Sequence, residues 1–214
     1  MLRVKKWLKK TVVYDIAYDW LTFLRQRSEY RRWQSRGGLT PHFQKQRTVK
    51  AYAQKFSLNT FVETGTYLGL MIQATKRTFK RIYSIELDNK LYLRAMRKFK
   101  RFKHITVLNG DSSTVLPNIL SELREPCLFW LDAHYSGGIT AKGDLETPVM
   151  SELNAILDHS ITFSFPHIIL IDDAREFLGK NDYPTLSQVA DQVKKLRPAS
   201  NVEVHDDIIR IYLA

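Results

Sequence analysis

The stretch from Phe61 to Gly69 constrains the fold more than any other part of the sequence. It reads FVETGTYLG: a short apolar strand that ends in an acid, a turn with glycines at Gly65 and Gly69, and the start of a helix. A second apolar segment, residues 82–85, is followed by Glu86 roughly 20 residues further on, which is the layout of a nucleotide-binding βαβ unit. Glycine in the turn lets the backbone bend sharply and approach a ligand where a Cβ would clash.

The acid in this turn argues against a dinucleotide. A pyrophosphate site has the pattern G-x-G-x-x-G, whose backbone N–H groups face the phosphates. Glu63 stands at the first position of the turn, where its carboxylate would repel a phosphate but suits a cationic ligand. S-adenosylmethionine has an ammonium, a sulfonium and a ribose but no phosphate. An acid such as Glu86 can accept hydrogen bonds from both hydroxyls of that ribose.

Predicted strands and helices alternate from Thr60 onward, which indicates an α/β fold. Strands are expected at 60–63, 81–86, 104–108, 127–132 and 167–172, and helices at 69–79, 88–100, 113–124, 147–158 and 184–196. Two last strands, 202–205 and 208–213, are separated only by Asp206 and Asp207, which predicts an antiparallel hairpin.

These features resemble the class I methyltransferases, whose Rossmann-like parallel sheet is closed by a C-terminal antiparallel hairpin. The resemblance covers roughly residues 58–213, and it departs from the common pattern at Tyr67, where many members have glycine. It implies S-adenosylmethionine as cofactor. The cofactor-binding residues that it implies are Glu63, Gly65, Thr66 and Gly69 for the methionine part, Glu86 for the ribose, and Asp111 with Ser112 for the adenine. Asp111 is also well placed to cap the helix that follows it.

Acidic residues stand at or just after the ends of all five predicted strands, and such a cluster implies a bound cation. Asp132 ends the fourth strand, and Asp172 with Asp173 ends the fifth. This trio resembles the metal site of the catechol-type and macrolide-sugar O-methyltransferases. The resemblance implies Mg²⁺ or Mn²⁺, which would clamp two acceptor hydroxyls and lower the pKa of one of them. The alternative is that Asp172 or Asp173 only caps the next turn.

His134, two residues beyond Asp132, is the candidate general base that would remove the acceptor's proton. An orienting role or metal ligation is also open for this side chain. The loop 135–144 is rich in glycine and polar residues, as expected of a loop that binds substrate. The candidate substrate-binding residues are Tyr135, Ser136, Thr140, Lys142 and Arg175.

The net charge of +11 is concentrated at the N-terminus, where residues 1–50 contribute +10. We therefore expect a basic amphipathic helical head at residues 1–38 and a methyltransferase-like α/β domain at residues 39–214. The head either packs on the domain or lies on an anionic membrane surface; nucleic acid is a weaker alternative because no recognition motif accompanies the charge. A single cysteine and the lack of a signal-like apolar core favour a cytoplasmic protein, peripheral at the inner membrane face if the head binds lipid.

The sequence thus favours an S-adenosylmethionine-dependent O-methyltransferase, assisted by a divalent metal, that acts on a hydroxylated small molecule or a glycan sugar. Two alternatives stay open. One is a metal-dependent hydroxylase or hydrolase on the same scaffold, which would use Asp132, His134, Asp172 and Asp173 as a mixed site. The other is a non-catalytic module that docks at membranes.

Overall fold

The computed structural model describes residues 20–21, 24–35, 38–132 and 147–214. The chain divides into two compact units, Met1–Arg47 and Thr48–Ala214. The boundary drawn from the sequence, between residues 38 and 39, stays a prediction.

The first unit contains a helical segment, α1, at residues 24–35, and the start of α2, His42–Lys55. The Tyr30 ring lies between Trp33 and Phe43, with ring centroids 5.8 and 5.3 Å away. The Trp33 indole N–H donates to the carbonyl oxygen of Gly38 at 3.2 Å. No helix in the described part of the chain is both long and apolar enough to cross a membrane.

The second unit is a seven-stranded sheet with helices between its strands. The strands are β1 Thr60–Thr64, β2 Arg81–Glu86, β3 Ile105–Asn109, β4 Cys127–Leu131, β5 Ile168–Ile171, β6 Asn201–His205 and β7 Ile208–Tyr212. The helices are α3 Leu70–Thr75, α4 Asn89–Phe99, α5 Ser112–Glu122, α6 Val149–Phe163 and α7 Leu186–Leu196, with a 3₁₀ turn at Ala174–Glu176.

The strand order is β3-β2-β1-β4-β5-β7-β6, in which the first five strands are parallel and β7 is antiparallel to both of its neighbours. The predicted parallel sheet with a C-terminal antiparallel hairpin is therefore confirmed. Every residue of β1, β4 and β5 is buried, and burial on both faces explains why β4 and β5 are apolar throughout. Two apolar clusters, built around Phe129 and Trp130 on opposite faces of β4, form the core.

Two helices differ from the sequence-based expectation by more than two residues at one end. Helix α3 ends at Thr75 rather than residue 79 because Phe79 turns inward to stack on Phe61, with ring centroids 4.9 Å apart. Helix α6 continues past residue 158 to Phe163, where Ser164 ends it in a left-handed conformation with φ 53°. Its last turns bury His159, whose ring bonds to other buried groups.

The hairpin turn is formed by Asp206 and Asp207, with φ values of 53° and 57°. Two consecutive residues in the left-handed region are typical of a type I′ turn, which matches the twist of the flanking strands. The Asp207 carbonyl oxygen accepts a hydrogen bond from the N–H of Ala174 at 2.9 Å. The turn is therefore joined to the segment that follows β5, at the edge of the sheet where the site residues lie.

Candidate active site

The turn after β1 folds back onto the end of β2. The N–H groups of Gly65 and Thr66 donate to the carbonyl oxygen of Ile85 at 3.0 and 3.2 Å. Gly65 and Tyr67 have positive φ values, 86° and 47°. Tyr67 thus adopts a conformation that glycine favours, at the position where the sequence departs from the common motif. The N–H groups of Gly65, Thr66 and Tyr67 are therefore all engaged within the protein, and they fix the turn against the end of β2.

Glu86 lies at the centre of this turn. Its Oε2 accepts a hydrogen bond from the N–H of Tyr67 at 2.7 Å, and its Oε1 accepts one from the N–H of Asp88 at 2.9 Å. Burial raises the pKa of Glu86, while these two backbone N–H groups act in the opposite direction. The two backbone hydrogen bonds hold the Glu86 side chain in position before any ligand arrives. Each carboxylate oxygen has a second lone pair that can accept a hydrogen bond from a ribose hydroxyl.

Glu63 is almost fully buried beside its cross-strand neighbour Ser84. The Ser84 hydroxyl donates to Glu63 Oε2 at 2.6 Å, and the Ser84 and Thr66 hydroxyl oxygens are also 2.6 Å apart. The pKa of Glu63 is raised well above its ordinary value, first by burial and then by the charges of Asp132 and Glu86. A cation near these carboxyls would stabilise their ionised forms.

Backbone conformation and packing explain why position 69 is a glycine. It precedes α3 in a left-handed conformation with φ 66°, and a Cβ at this position would lie 2.7 Å from Cε2 of the Phe99 side chain. The glycine therefore allows α4 to pack close to the turn. Its predicted contact with the cofactor stays a prediction.

Asp111 caps α5, as the sequence suggests. Its Oδ1 accepts hydrogen bonds from the N–H of Ser113 at 2.8 Å and from the Ser113 hydroxyl at 2.7 Å. Ser112, the first residue of the helix, is buried. On the neighbouring strand the Asn109 amide donates to the carbonyl oxygen of Glu86 at 2.8 Å, which ties the end of β3 to the end of β2.

Asp132, Asp172 and Asp173 are brought together where β4 and β5 end. One carboxylate oxygen from each lies within 4.8 Å of the other two, and Asp172 and Asp173 are buried. The N–H of Asp132 donates to the carbonyl oxygen of Thr64, and that of Asp172 to Leu131, so both residues continue the sheet ladder. Asp173 has φ 54°, which turns the chain sharply after β5. Three oxygen ligands at this spacing fit a hard divalent cation.

Arg175 lies beside the acidic cluster rather than in a separate anion site. Its guanidinium forms ion pairs with Asp173 Oδ1 at 2.8 Å, with Asp207 Oδ2 and, more weakly, with Glu176 Oε1 at 3.2 Å. Partial burial acts to lower the pKa of Arg175, but the carboxylates of Asp173 and Asp207 outweigh it and raise that pKa. The predicted substrate contact of Arg175 stays a prediction, because the described contacts of its guanidinium are with carboxylates.

Five candidate residues lie outside the described residues. They are the predicted base His134 and the predicted acceptor contacts Tyr135, Ser136, Thr140 and Lys142.

Glu152 and Tyr183 line a small cavity together with Asp132 and Asp172, and neither was predicted from the sequence as a site residue. Glu152 is in the first turn of α6 and is buried. Helical periodicity could have revealed it, because it stands three residues after Val149 and four before Ile156 on the apolar face. Tyr183 packs its ring against Phe177, and the pKa of its hydroxyl is raised by burial and by nearby carboxylates, Asp173 first.

No model of a known protein family matches this chain, and no curated protein matches it significantly. Solved structures show the fold. A methyltransferase from Podospora anserina bound to S-adenosylhomocysteine (SAH) has a TM-score of 0.56 at 16% identity, over 79% of this chain and 78% of that chain. An O-methyltransferase from Bacillus cereus in complex with SAH has a TM-score of 0.53 at 16% identity, over 80% and 81%.

A third similar structure is an O-methyltransferase from Streptomyces achromogenes involved in tomaymycin synthesis, in complex with S-adenosylmethionine. Its TM-score is 0.53 at 15% identity, over 79% of both chains. The chain therefore has the Rossmann-like class I methyltransferase fold that the sequence predicts. At this level of identity the similarity concerns the fold alone.

Proposed function

We propose that this chain is an S-adenosylmethionine-dependent O-methyltransferase, assisted by a divalent cation, that acts on a hydroxylated small molecule or a glycan sugar. The observation that carries the proposal is the fixed position of Glu86 at the end of β2, held by the N–H of Tyr67 in the turn after β1. The topology places this acid beyond the carboxyl ends of parallel strands, where ligands of such sheets bind.

The residues of the turn fit the cofactor. Glu86 has lone pairs available for two ribose hydroxyls, and Asp111 and Ser112 stand one strand further along the same edge. Glu63 and Glu86 supply carboxyl groups whose ionised forms a cation would stabilise, and no described Lys or Arg forms an ion pair with either of them. This environment favours a cation over a phosphate. When bound, S-adenosylmethionine supplies an electrophilic methyl group on a positively charged sulfur.

The acidic cluster fits Mg²⁺ or Mn²⁺. Three carboxylates with oxygens within 4.8 Å of one another form a site of hard oxygen ligands, and Arg175 forms an ion pair with one of them, Asp173. A bound cation would supply Lewis acidity, which lowers the pKa of a coordinated hydroxyl. Asp132, Asp172 and Asp173 would hold it and so orient the acceptor oxygen toward the methyl group. The role of His134 as the base that takes the acceptor's proton remains part of the proposal.

The first test is a calorimetric titration of the purified protein with S-adenosylmethionine. We expect micromolar binding that Glu86→Gln weakens at least 10-fold, because the amide keeps the shape of the side chain but offers one acceptor oxygen instead of two and no charge. Glu122→Gln is the matched control, since Glu122 is an exposed residue of α5. We expect this control to bind like the wild type.

Failure of the folded wild type to bind S-adenosylmethionine would contradict the proposal. If the same protein bound Mn²⁺ or Fe²⁺, a metal-dependent hydroxylase or hydrolase on this scaffold would become the better explanation. Protein that binds S-adenosylmethionine should next be assayed for methyl transfer with a panel of hydroxylated acceptors.

We further propose that the basic head docks on an anionic membrane surface. Trp20 and Leu21 are 62% and 63% exposed, and exposed arginines accompany them at Arg27, Arg31 and Arg32. Exposed aromatic and aliphatic groups next to arginines suit the interface of an anionic bilayer. Co-sedimentation with vesicles containing anionic lipid, but not with neutral vesicles, would support this; binding to neither, or equal binding to RNA, would contradict it.

A further inference from the structure

Glu152 is the buried charged group that the proposed function does not use. Its side chain is 1% exposed, and it lies on the face of α6 that also buries Val149, Leu153 and Ile156. A carboxyl group in such a place costs free energy unless its oxygens are hydrogen-bonded. Burial raises the pKa of Glu152 to about 7. The Glu152 carboxyl group is therefore destabilising at this position unless hydrogen bonds compensate for its desolvation.

Glu152 interacts with residues near the predicted cofactor site and with a residue of the acidic cluster. The hydroxyls of Ser112 and Thr64 lower its pKa from the cofactor side, whereas the charges of Asp111 and Asp132 raise it. Among the described residues, Glu152 Oε1 has no hydrogen-bond partner. One oxygen of a fully buried carboxyl group is thus left without a donor, which is rare in folded proteins.

Glu152 borders a cavity that also touches the acidic cluster. Asp132, Asp172, Thr147 and Tyr183 line the cavity together with Glu152. Its volume is about 10 Å³, roughly enough for one water molecule. Because the lining offers three carboxylates, the species that fits is a water that donates hydrogen bonds and whose oxygen faces a cation.

We propose that Glu152 is a positioning residue that accepts a hydrogen bond from a water bound to the cation at Asp132, Asp172 and Asp173. Mutation of a residue that hydrogen-bonds to a metal ligand typically lowers metal affinity 10- to 100-fold. Through Thr64 and Ser112 the same carboxyl group connects the cation site to the cofactor turn. This inference rests on the cation site of the proposed function.

The test measures Mn²⁺ binding by the loss of the free-ion electron paramagnetic resonance signal. We expect Glu152→Gln to bind Mn²⁺ 10- to 100-fold more weakly than the wild type, and the exposed control Glu122→Gln to bind equally. In metal-free buffer we expect the Glu152→Gln variant to unfold at the same or a higher temperature, because the substitution removes a desolvated acid. Glu152→Met, similar in volume and without a carboxyl, should show the same two effects.

Mn²⁺ affinity within twofold of the wild type in both variants would overturn the inference. A lower unfolding temperature without metal, combined with unchanged Mn²⁺ affinity, would make Glu152 a packing residue only. If the wild type bound no Mn²⁺, this inference and the cation site would both fail. The titration with S-adenosylmethionine would still decide the methyltransferase proposal separately.

Discussion

Two buried histidines form a chain of hydrogen bonds whose direction is determined by its first donor. The N–H of Cys127 donates to His167 Nδ1 at 3.0 Å, so the proton of that ring is assigned to Nε2. His167 Nε2 then donates to His159 Nδ1 at 3.0 Å, and His159 Nε2 donates to the carbonyl oxygen of Leu123 at 3.3 Å. This series of hydrogen bonds requires both imidazole rings, those of His167 and His159, to be neutral.

We predict that this pair makes the protein less stable in acid. Burial lowers the pKa of His167 to about 3, and it also lowers the pKa of His159. The unfolded chain takes up a proton below about pH 6.5, whereas folded His167 does not, so stability is lost as the pH falls from about 6.5 toward 3. Between pH 7 and 5, the wild type should lose about 2 kcal/mol of unfolding free energy that His167→Asn does not lose.

Urea unfolding at pH 7, 6 and 5 measures this difference. Raised pKa values, such as that of Glu152, act in the opposite direction but are common to both proteins and cancel in the comparison. His205→Asn is the control, because the side chain of His205 is 67% exposed. Parallel pH profiles for the wild type and His167→Asn would contradict the prediction.

Gly69→Ala should destabilise the protein by about 1–3 kcal/mol. The new Cβ would meet the Phe99 ring at 2.7 Å, and the positive φ of this residue adds backbone strain. Gly38→Ala is an informative comparison, because Gly38 also has a positive φ, but a Cβ added there would have no described atom within 4 Å. Thermal unfolding should show a clearly smaller effect at Gly38, and equal effects would mean that the Phe99 contact does not matter.

At the scale of residues, the sequence predicted what the local motif determines. The position of Glu86 at the end of β2 and the capping role of Asp111 follow from spacing and residue type, and the structure has both. It could not predict why Gly69 is required, because Phe99 stands 30 residues away and meets it only after folding. Helical periodicity could have revealed that Glu152 is buried, but only the packed structure shows that it lies beside Asp132 and Asp172.

At the scale of elements, Asp88 makes a separable contribution to α4. Its Oδ1 accepts from the N–H groups of Lys90 and Leu91 at 2.8 and 2.9 Å, while its own N–H holds Glu86. Asp88→Ala should therefore cost about 0.5–2 kcal/mol of stability through the lost cap. It should leave the affinity for S-adenosylmethionine within about threefold, because the backbone contact to Glu86 remains.

Chemical denaturation and calorimetry on the same preparation check both parts of this prediction. Asp191→Ala on α7 is a suitable control, because Asp191 lies beyond the capped turn of its helix and is exposed. A large loss of cofactor affinity in Asp88→Ala, with unchanged stability, would mean that the Asp88 side chain supports the cofactor site rather than capping α4.

Strand positions were predicted within one residue at most ends, because buried parallel strands have long apolar runs bounded by polar residues. Helix ends were less accurate. The early end of α3 depends on the stacking of Phe79 on Phe61, and the extension of α6 depends on the bond between His159 and His167. Both are contacts between elements, which a pattern along one element cannot contain.

At the scale of the whole molecule, the order of the strands in the sheet is not their order in the chain. Strand β7 lies between β5 and β6, so β5 has no second neighbour until β7 has paired with it. The burial of Ile168, Leu170 and the rest of β5 depends on this pairing, as does the ion pair of Arg175 with Asp207 in the hairpin turn.

A chain that ends at Ser200 should therefore be incompletely folded. We expect it to aggregate, since an unpaired apolar edge strand is a template for association. Adding a peptide of residues 201–214 should restore a monomer with the circular dichroism of the intact protein, because the hairpin can pair with β5 from outside. A stable, monomeric 1–200 fragment without the peptide would contradict this view.

The position of β7 also has a consequence for synthesis on the ribosome. Residues 60–171 can emerge and begin to pair while the hairpin is still unmade, but the edge of β5 and the aspartates beside it wait for residues 201–212. A growing polypeptide would therefore display Asp132, Asp172 and Asp173 without the strand that supports the end of β5, and chaperones would meet that state first. The proposed cation site at this edge should therefore form only when the last strand has paired.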